Sequence, residues 1–288
     1  MAIFARIRTY LELVKFSHTV FALPFALTGM FLAARGFPDA GTLFFILLAM
    51  VGGRSAAMGL NRVVDAEIDR ANPRTRDRHI PKGLVKKREA WTLIAVSFLL
   101  LLFSAYMLNP LCFRLSPLLI AVLLLYSYTK RFTWASHIVL GLALGAAPLG
   151  AWIAVKGAVD PRILLLSFAV MFWVAGFDII YALLDIDFDR TYGLHSIPRL
   201  LGPGKAITVA RICHACMASL LLGIYHFFSL SFLYLAGFLV CVALLLYEHS
   251  LVREDDFSRL DMAFFNVNGY ISITFCLFTF LDIVLLGR

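Results

Sequence analysis

The amino-acid sequence predicts an all-α polytopic membrane protein, nine transmembrane helices in one bundle, and three observations carry that prediction. Of its 288 residues, 61% are apolar and only 15% are charged, against about 25% charged in soluble domains. Apolar runs long enough to span a bilayer recur along the whole chain. The Lys and Arg residues divide very unevenly between alternate loops. A soluble domain of this size needs a charged shell that this composition does not supply, which excludes an ordinary soluble enzyme, a disordered chain and a fibrous one.

Residues 1–15 place Ile3, Phe4, Ile7, Tyr10, Leu11 and Val14 at helical spacing, with Arg6, Arg8, Glu12 and Lys15 between them. This pattern predicts an interfacial amphipathic helix. No small-x-small cleavage site follows, which argues against a signal peptide. Transmembrane helices are then expected near 19–35, 41–60, 91–108, 115–129, 135–155, 163–184, 208–228, 231–248 and 263–286. The run 208–248 is the one place where the count is open, because only His226 to Ser231 separates its halves. Residues 1–288 are expected to form a single transmembrane domain.

With nine helices, one side of the membrane receives 21 of the 26 Lys and Arg residues. The other side receives five: Arg35, Arg114, Lys156, Arg162 and Arg288. By the positive-inside rule the N-terminus and the basic loops face the cytoplasm, in an inner (plasma) membrane. The net charge of +8 is read as these basic loops and not as a nucleic-acid surface. The five cysteines fall in or beside apolar runs with no disulfide spacing. Cys213-His-Ala-Cys216 opens an apolar helix, so its cysteines are read as small buried hydrophobes.

The chemistry concentrates at two helix ends. Asn61, Asp65 and Asp69 are spaced i, i+4, i+8 where the second apolar helix meets the cytoplasm, and Arg54, seven residues earlier, falls on the same face. Asp185, Asp187 and Asp189 end the sixth helix on the same side, and Asp178 and Tyr181 lie on the Asp185 stripe deeper in the bilayer. An acid inside an apolar helix is costly and tends to be functional. The loops after the two motifs also match: each reads DxxxDR, followed by Ile80-Pro81-Lys82 in one and Ile197-Pro198-Arg199 in the other, a weak internal repeat. Facing acidic clusters repel unless a positive group lies between them, and Mg²⁺ takes one or two carboxylates while sharing its other positions with water and phosphate. Arg70, Arg74, Arg76, Arg78, Lys82, Arg190 and Arg199 form a basic fringe of the kind that grips phosphate oxygens. Paired carboxylates, magnesium and a basic fringe together describe a diphosphate site.

These motifs resemble the UbiA family of intramembrane prenyltransferases, over nearly the whole chain. Supporting stretches are Asn72-Pro-Arg-Thr-Arg-Asp-Arg78, Ile80-Pro-Lys-Gly83 and Tyr126-Ser-Tyr-Thr-Lys-Arg131. Lys15-Phe-Ser-His-Thr-Val-Phe-Ala-Leu-Pro-Phe25 and Asn266-Val-Asn-Gly-Tyr-Ile-Ser272 are similar to a narrower branch, 4-hydroxybenzoate polyprenyltransferase-like, some of whose members serve menaquinone synthesis. The middle acid Asp187 departs from the common family pattern and leaves the i, i+4 pair intact. The resemblance implies Mg²⁺-dependent transfer of a polyprenyl group from its diphosphate to an aromatic acceptor, in ubiquinone or menaquinone biosynthesis, with Asp65, Asp69, Asp185 and Asp189 holding the metal. By the same resemblance Lys130 and Arg131 face the diphosphate; as positive-inside anchors they have a second reading.

The remaining polar residues are expected to play no part in catalysis. His18, His79, His137, His195, His214, His226 and His249 form no i, i+4 ligand pair. Glu248, Glu254, Asp255, Asp256 and Asp261 make the last cytoplasmic loop acidic and are expected to be solvated. Asn266 and Asn268 are expected to hydrogen-bond within the bundle. A transporter is the alternative from another class and predicts acids at the midplane; the acids here gather at helix ends. A CDP-alcohol phosphotransferase would need a compact DG-xx-AR motif that is absent, and the haem, chlorophyll and archaeal-lipid branches of the family are less similar.

Overall fold

The computed structural model describes residues 2–15 and 19–287; His18, Arg288 and the side chains of Ile3, Phe4 and Ile7, used above, lie outside the described residues. Every expected apolar run is helical. The helices are α1 (Ala2–Leu13), α2 (Thr19–Ala34), α3 (Ala40–Val64), α4 (Ala66–Ala71), α5 (Lys87–Leu108), α6 (Pro110–Thr129), α7 (Ser136–Lys156), α8 (Pro161–Ala182), α9 (Ile186–Tyr192), α10 (Ile197–Leu201), α11 (Pro203–Phe227), α12 (Phe232–Leu251) and α13 (Asn268–Leu281). Wider π-type turns over Met262–Val267 and Asp282–Leu286 extend α13 at both ends.

Eight helices among the described residues are long and apolar enough to cross a membrane. The ninth expected span is α2, which has 16 residues. At 1.5 Å per residue it reaches about 24 Å, short of the ~30 Å hydrocarbon core. The doubtful junction after residue 226 is a true turn: Phe228 closes α11, Ser229 takes φ 51°, and α12 begins at Phe232.

Neighbouring helices pack largely in chain order. α3 lies on α5, α6 on α5 and α7, α7 on α8, α8 on α11, and α12 on α13, while α2 closes the bundle against α7 and α13. α8 is the central post: 72% of its apolar window is buried, against 17–44% for the others. Its contact with α7 depends on missing side chains. A Cβ at Gly141 would sit 2.3 Å from the Met171 carbonyl oxygen, and one at Gly145 would sit 2.5 Å from that of Ser167. Such backbone approach at small residues is how helices associate where the hydrophobic effect gives no preference between lipid and protein. The outward faces carry Phe44, Leu99, Phe103, Leu118, Phe232, Leu239 and Leu246, all exposed, as a lipid-facing surface requires.

The N-terminal helix α1 docks on this bundle. Leu13 packs with Leu60, Val63, Ala66, Ile80, Val85, Ala90 and Ile94, a second apolar cluster beneath the loop between α4 and α5, and Arg6 pairs with Glu89 at 2.5 Å. All five cysteines are free. One expectation fails. Glu248 is not in a solvated loop: α12 continues to Leu251, Glu248 is fully buried, and it accepts a hydrogen bond from Asn268 at 3.0 Å. Hydropathy placed the helix end too early because a charged residue was scored as solvent-facing. Asn268 also accepts from the Trp173 indole at 2.7 Å, so it does bond within the bundle, whereas Asn266 is exposed.

Candidate active site

Both acidic motifs begin at the same backbone irregularity. α3 stops at Asp65, whose φ, ψ of −88°, 4° is off the α-helical basin, and α4 starts at the next residue. α8 passes into a 3-10 turn over Leu183–Asp185, Asp185 has φ, ψ of −110°, 6°, and α9 follows. This bridge region is sparsely used and is frequent at active sites. Asn61, Asp65 and Asp69 therefore do not run along one straight helix face. The break re-aims the chain, and all three still line one cleft together with Asp178, Asp185 and Asp189. The cleft holds about 180 Å³ at the end of the bundle that bears the basic loops.

Three of the cleft's carboxylates, Asp65, Asp69 and Asp185, are paired with the protein's own cations. Asp65, 1% exposed, accepts from Lys130 Nζ at 2.5 Å, Arg131 Nη2 at 3.0 Å and Asn61 Nδ2 at 3.0 Å. Asp69, 3% exposed, pairs with Arg78 at 2.6 Å through Oδ1. Arg74 grips Asp185 through two guanidinium nitrogens, Asn72 donates to the same carboxylate at 2.9 Å, and Arg74 Nη1 donates to the Tyr181 hydroxyl at 2.7 Å. Partial burial works against charge on Arg74, but the hydrogen bonds and attraction to Asp185 outweigh it and hold the guanidinium above its ordinary value. Asp189 accepts from Ser196 at 2.7 Å.

Asp178 is held by a residue the sequence reading passed over. His137 Nδ1 donates to its Oδ2 at 2.7 Å, and His137 Nε2 accepts the Ile197 N–H at 3.3 Å, so the bonding pattern puts the imidazole proton on Nδ1. His137, Asn72, Ser196 and His195 all line the cleft. The Asn-Pro-Arg stretch was a signal for Asn72. A lone His near the start of α7 carries no spacing signal, and its partner is 41 residues away.

The basic fringe divides. Arg74, Arg78 and Lys130 line the cleft, and Arg131 reaches it through Asp65. Arg70 pairs with Glu67 and Lys82 with Asp77 at the surface, and Arg190 lies 3.6 Å from Asp187. Arg199 is committed to the Leu194 carbonyl, and Arg54 to the Lys15 carbonyl at 3.3 Å. These five were expected at the site and do not line it. Solvated loop cations find local partners, and Arg54, seven residues before Asn61, bonds the backbone just past α1 instead.

From Tyr181 an aromatic run enters the bundle. Phe264 stacks on Tyr181 at 4.0 Å, Phe177 meets Phe264 at 5.2 Å, and Trp173 meets Phe177 at 4.9 Å. The polar cleft thus gives way to a run of aromatic rings inside the bundle.

The residues present fit a divalent cation in a limited way. Among the described residues no three His, Cys, Asp or Glu side chains form a ready-made cage. Asp69 Oδ2, however, is buried without a hydrogen-bond partner, an arrangement that leaves a carboxylate oxygen for a ligand. A magnesium ion usually takes one or two carboxylates and fills its shell with water and phosphate, so a full protein cage is not required.

An all-helical membrane bundle whose acids and cations converge on one end-on cleft defines an intramembrane enzyme. The chain belongs to the UbiA prenyltransferase family, whose family model matches residues 22–270. It is similar to the 4-hydroxybenzoate octaprenyltransferase of Vibrio cholerae serotype O1, with 30% identity over 272 residues, 92% of this chain and 94% of that protein. The apo structure of a UbiA homolog from Aeropyrum pernix K1 superposes with a TM-score of 0.85 at 34% identity, covering 93% of this chain and 98% of that one. A UbiA homolog from Archaeoglobus fulgidus, bound to DMAPP and Mg²⁺, has the same fold at 19% identity, with a TM-score of 0.72 over 94% of this chain and 99% of that one.

Proposed function

We propose that this prenyltransferase moves a polyprenyl group from its diphosphate to a 4-hydroxybenzoate-like aromatic acceptor in quinone biosynthesis. The observation that carries the reading is the cleft in which two aspartate segments face each other with Arg74, Arg78 and Lys130 between them. The names of the relatives agree with it. Asp65, Asp69, Asp185 and Asp189 would hold Mg²⁺, with Asp69 Oδ2 as a buried oxygen that has no protein partner. When bound, Mg²⁺ neutralises charge that grows on the departing diphosphate. Arg74, Arg78 and Lys130 supply donors to the same oxygens, Arg131 and Asn61 keep Asp65 oriented, and Asn72 does this for Asp185. The allylic C–O bond breaks, an acceptor ring carbon bonds to the allylic carbon, and the ring loses a proton. Tyr181 lines the cleft and turns aromatic density toward the allylic cation, while Phe264, Phe177 and Trp173 pack behind it and help exclude water.

The basic split supports a cleft that faces the cytoplasm from an inner membrane. The acceptor is tested by incubating membranes that carry the protein with labelled polyprenyl diphosphate, Mg²⁺ and a panel of aromatic acids, followed by product mass spectrometry. Prenylated 4-hydroxybenzoate, diphosphate in equal amount, loss in EDTA and recovery with Mg²⁺ are expected. Full turnover in excess EDTA would remove the metal from the reading, and diphosphate release with no prenylated acid would remove the acceptor. In inverted vesicles diphosphate should appear outside at once.

A further inference from the structure

The end of the bundle opposite the cleft carries a second cavity, of about 480 Å³, between the ends of α2, α7 and α11 and the start of α8. Its walls are Leu32, Trp152, Val159 and Phe228, and its charged groups are Arg35, Lys156, Arg162 and Asp160. The helix alternation assigns only five Lys and Arg residues to this side, and three of them meet here. That concentration runs against a chain that otherwise keeps its basic residues on the other side.

The rim is built and not merely exposed. α7 closes at Gly157 with φ 66°, Arg35 in the cavity lining takes φ 54°, and Ser229, which follows the lining residue Phe228, takes 51°. Left-handed backbone at non-glycine positions is strained and clusters where ligands are clamped. Arg35 Nη2 donates to the Phe228 carbonyl at 3.1 Å and ties two of these turns together. Arg162 lies 5.5 Å over the Phe228 ring.

The charges do not cancel. Asp160 is engaged twice by Arg162: its carboxylate caps the start of α8 through the Arg162 N–H at 2.9 Å and pairs with the guanidinium at 2.6 Å. Among the described residues no carboxylate pairs with Arg35 or Lys156. Two cations are therefore left over in a cavity with apolar walls, at the level where helix ends meet lipid phosphates. No acid remains to receive a choline or ammonium group. The cavity is much larger than a phosphate ion needs, and its apolar side suits glycerol and the first acyl carbons.

We propose that this cavity binds the phosphate headgroup of an anionic phospholipid, with Arg35 and Lys156 on the phosphate and the acyl chains in the surrounding bilayer. The site is separate from the prenyl-transfer cleft and does not depend on how that cleft is read.

The test uses the full chain in detergent, titrated with phosphatidylglycerol, phosphatidylcholine or inorganic phosphate and followed by native mass spectrometry. Each basic group near an anionic lipid is worth about 1 kcal/mol, so with two such groups phosphatidylglycerol should be retained about 30-fold better than phosphatidylcholine. The R35Q/K156Q variant should lose that preference. The R76Q/R88Q variant, which removes two exposed cations from the other end, should keep it. Lys156→Gln alone repeats the test without touching Arg35, whose bond to Phe228 helps hold the turn. Equal retention of the two lipids by the unmodified protein, or a preference that survives in both Lys156 variants, overturns the proposal. So does inorganic phosphate that displaces phosphatidylglycerol at equal concentration, because the site would then take the free anion.

Discussion

Replacing Lys130 by Met removes one of the two cations that hold Asp65. That carboxylate is 1% exposed and accepts from Lys130 at 2.5 Å, Arg131 at 3.0 Å and Asn61 at 3.0 Å. Breaking a wholly buried ion pair costs about 3–5 kcal/mol because a bare charge is left behind. Here Arg131 and Asn61 remain, so the loss is closer to that of one hydrogen bond to a charged group, about 1.5–3 kcal/mol. The Lys130 side chain is 30% exposed, which favours the lower part of that range. A loss of about 1.5–2 kcal/mol, taken from the transition state, lowers kcat/KM about 10- to 30-fold. The assay is the initial rate of prenyl transfer in membranes, with protein level normalised, for K130M, D65N and the double variant. Because the two groups act as a pair, the double variant should be hardly slower than the worse single variant. A loss under about threefold in K130M, or losses that simply multiply in the double variant, would refute the coupling.

Other consequences follow from the same geometry. Asp185→Ala strips Arg74 and Asn72 of their shared acceptor and should cost more than about 100-fold in rate, while Asp255→Ala in the exposed last loop stays within about twofold; equal losses would mean that the cleft is not where the chemistry occurs. Gly145→Val places a side chain 2.5 Å from the Ser167 carbonyl oxygen and should destabilise the bundle by about 1–3 kcal/mol, read as a lower thermal midpoint in detergent; an unchanged midpoint would show that α7 and α8 are not locked there. Glu248→Ala leaves Asn268 Nδ2 short of an acceptor at a cost of about 1–3 kcal/mol, whereas Glu248→Gln keeps one; if the two variants unfold at the same temperature, that bond does not stabilise the bundle.

Much of the architecture was legible because a bilayer leaves only helices or closed barrels to satisfy the backbone, and apolar runs of this length fit helices. Nine apolar runs had to be helices, and nine are. The acidic motifs were legible for the same reason: aspartates at helix ends in a chain so poor in charge have few bland explanations. Their partners were not. Lys130 and Arg131 meet Asp65 across a separation of about 65 residues, and Arg74 meets Asp185 across 111; only the fold says which of many loop cations turns inward. Arg70, Lys82 and Arg190 carry the same charge and face solvent beside Glu67, Asp77 and Asp187. His137 and Glu248 were missed for one common reason. Each owes its place to a neighbour on another helix, Asp178 for the first and Asn268 for the second, and periodicity along one helix carries no information about the next.

The glycine contact between α7 and α8 bears on how this enzyme can be redesigned. His137 stands on α7 and Asp178 on α8, so the wall they form is pinned by two backbones that touch at Gly141 and Gly145. That wall cannot recede to admit a bulkier ring without prising the helices apart. Another part of the lining, where α6 ends in Tyr126, Ser127 and Thr129, leads into a loop rather than into a glycine lock. A mutant library for larger acceptors is best spent on those three positions, with the α7–α8 seam left as the fixed jaw of the vice.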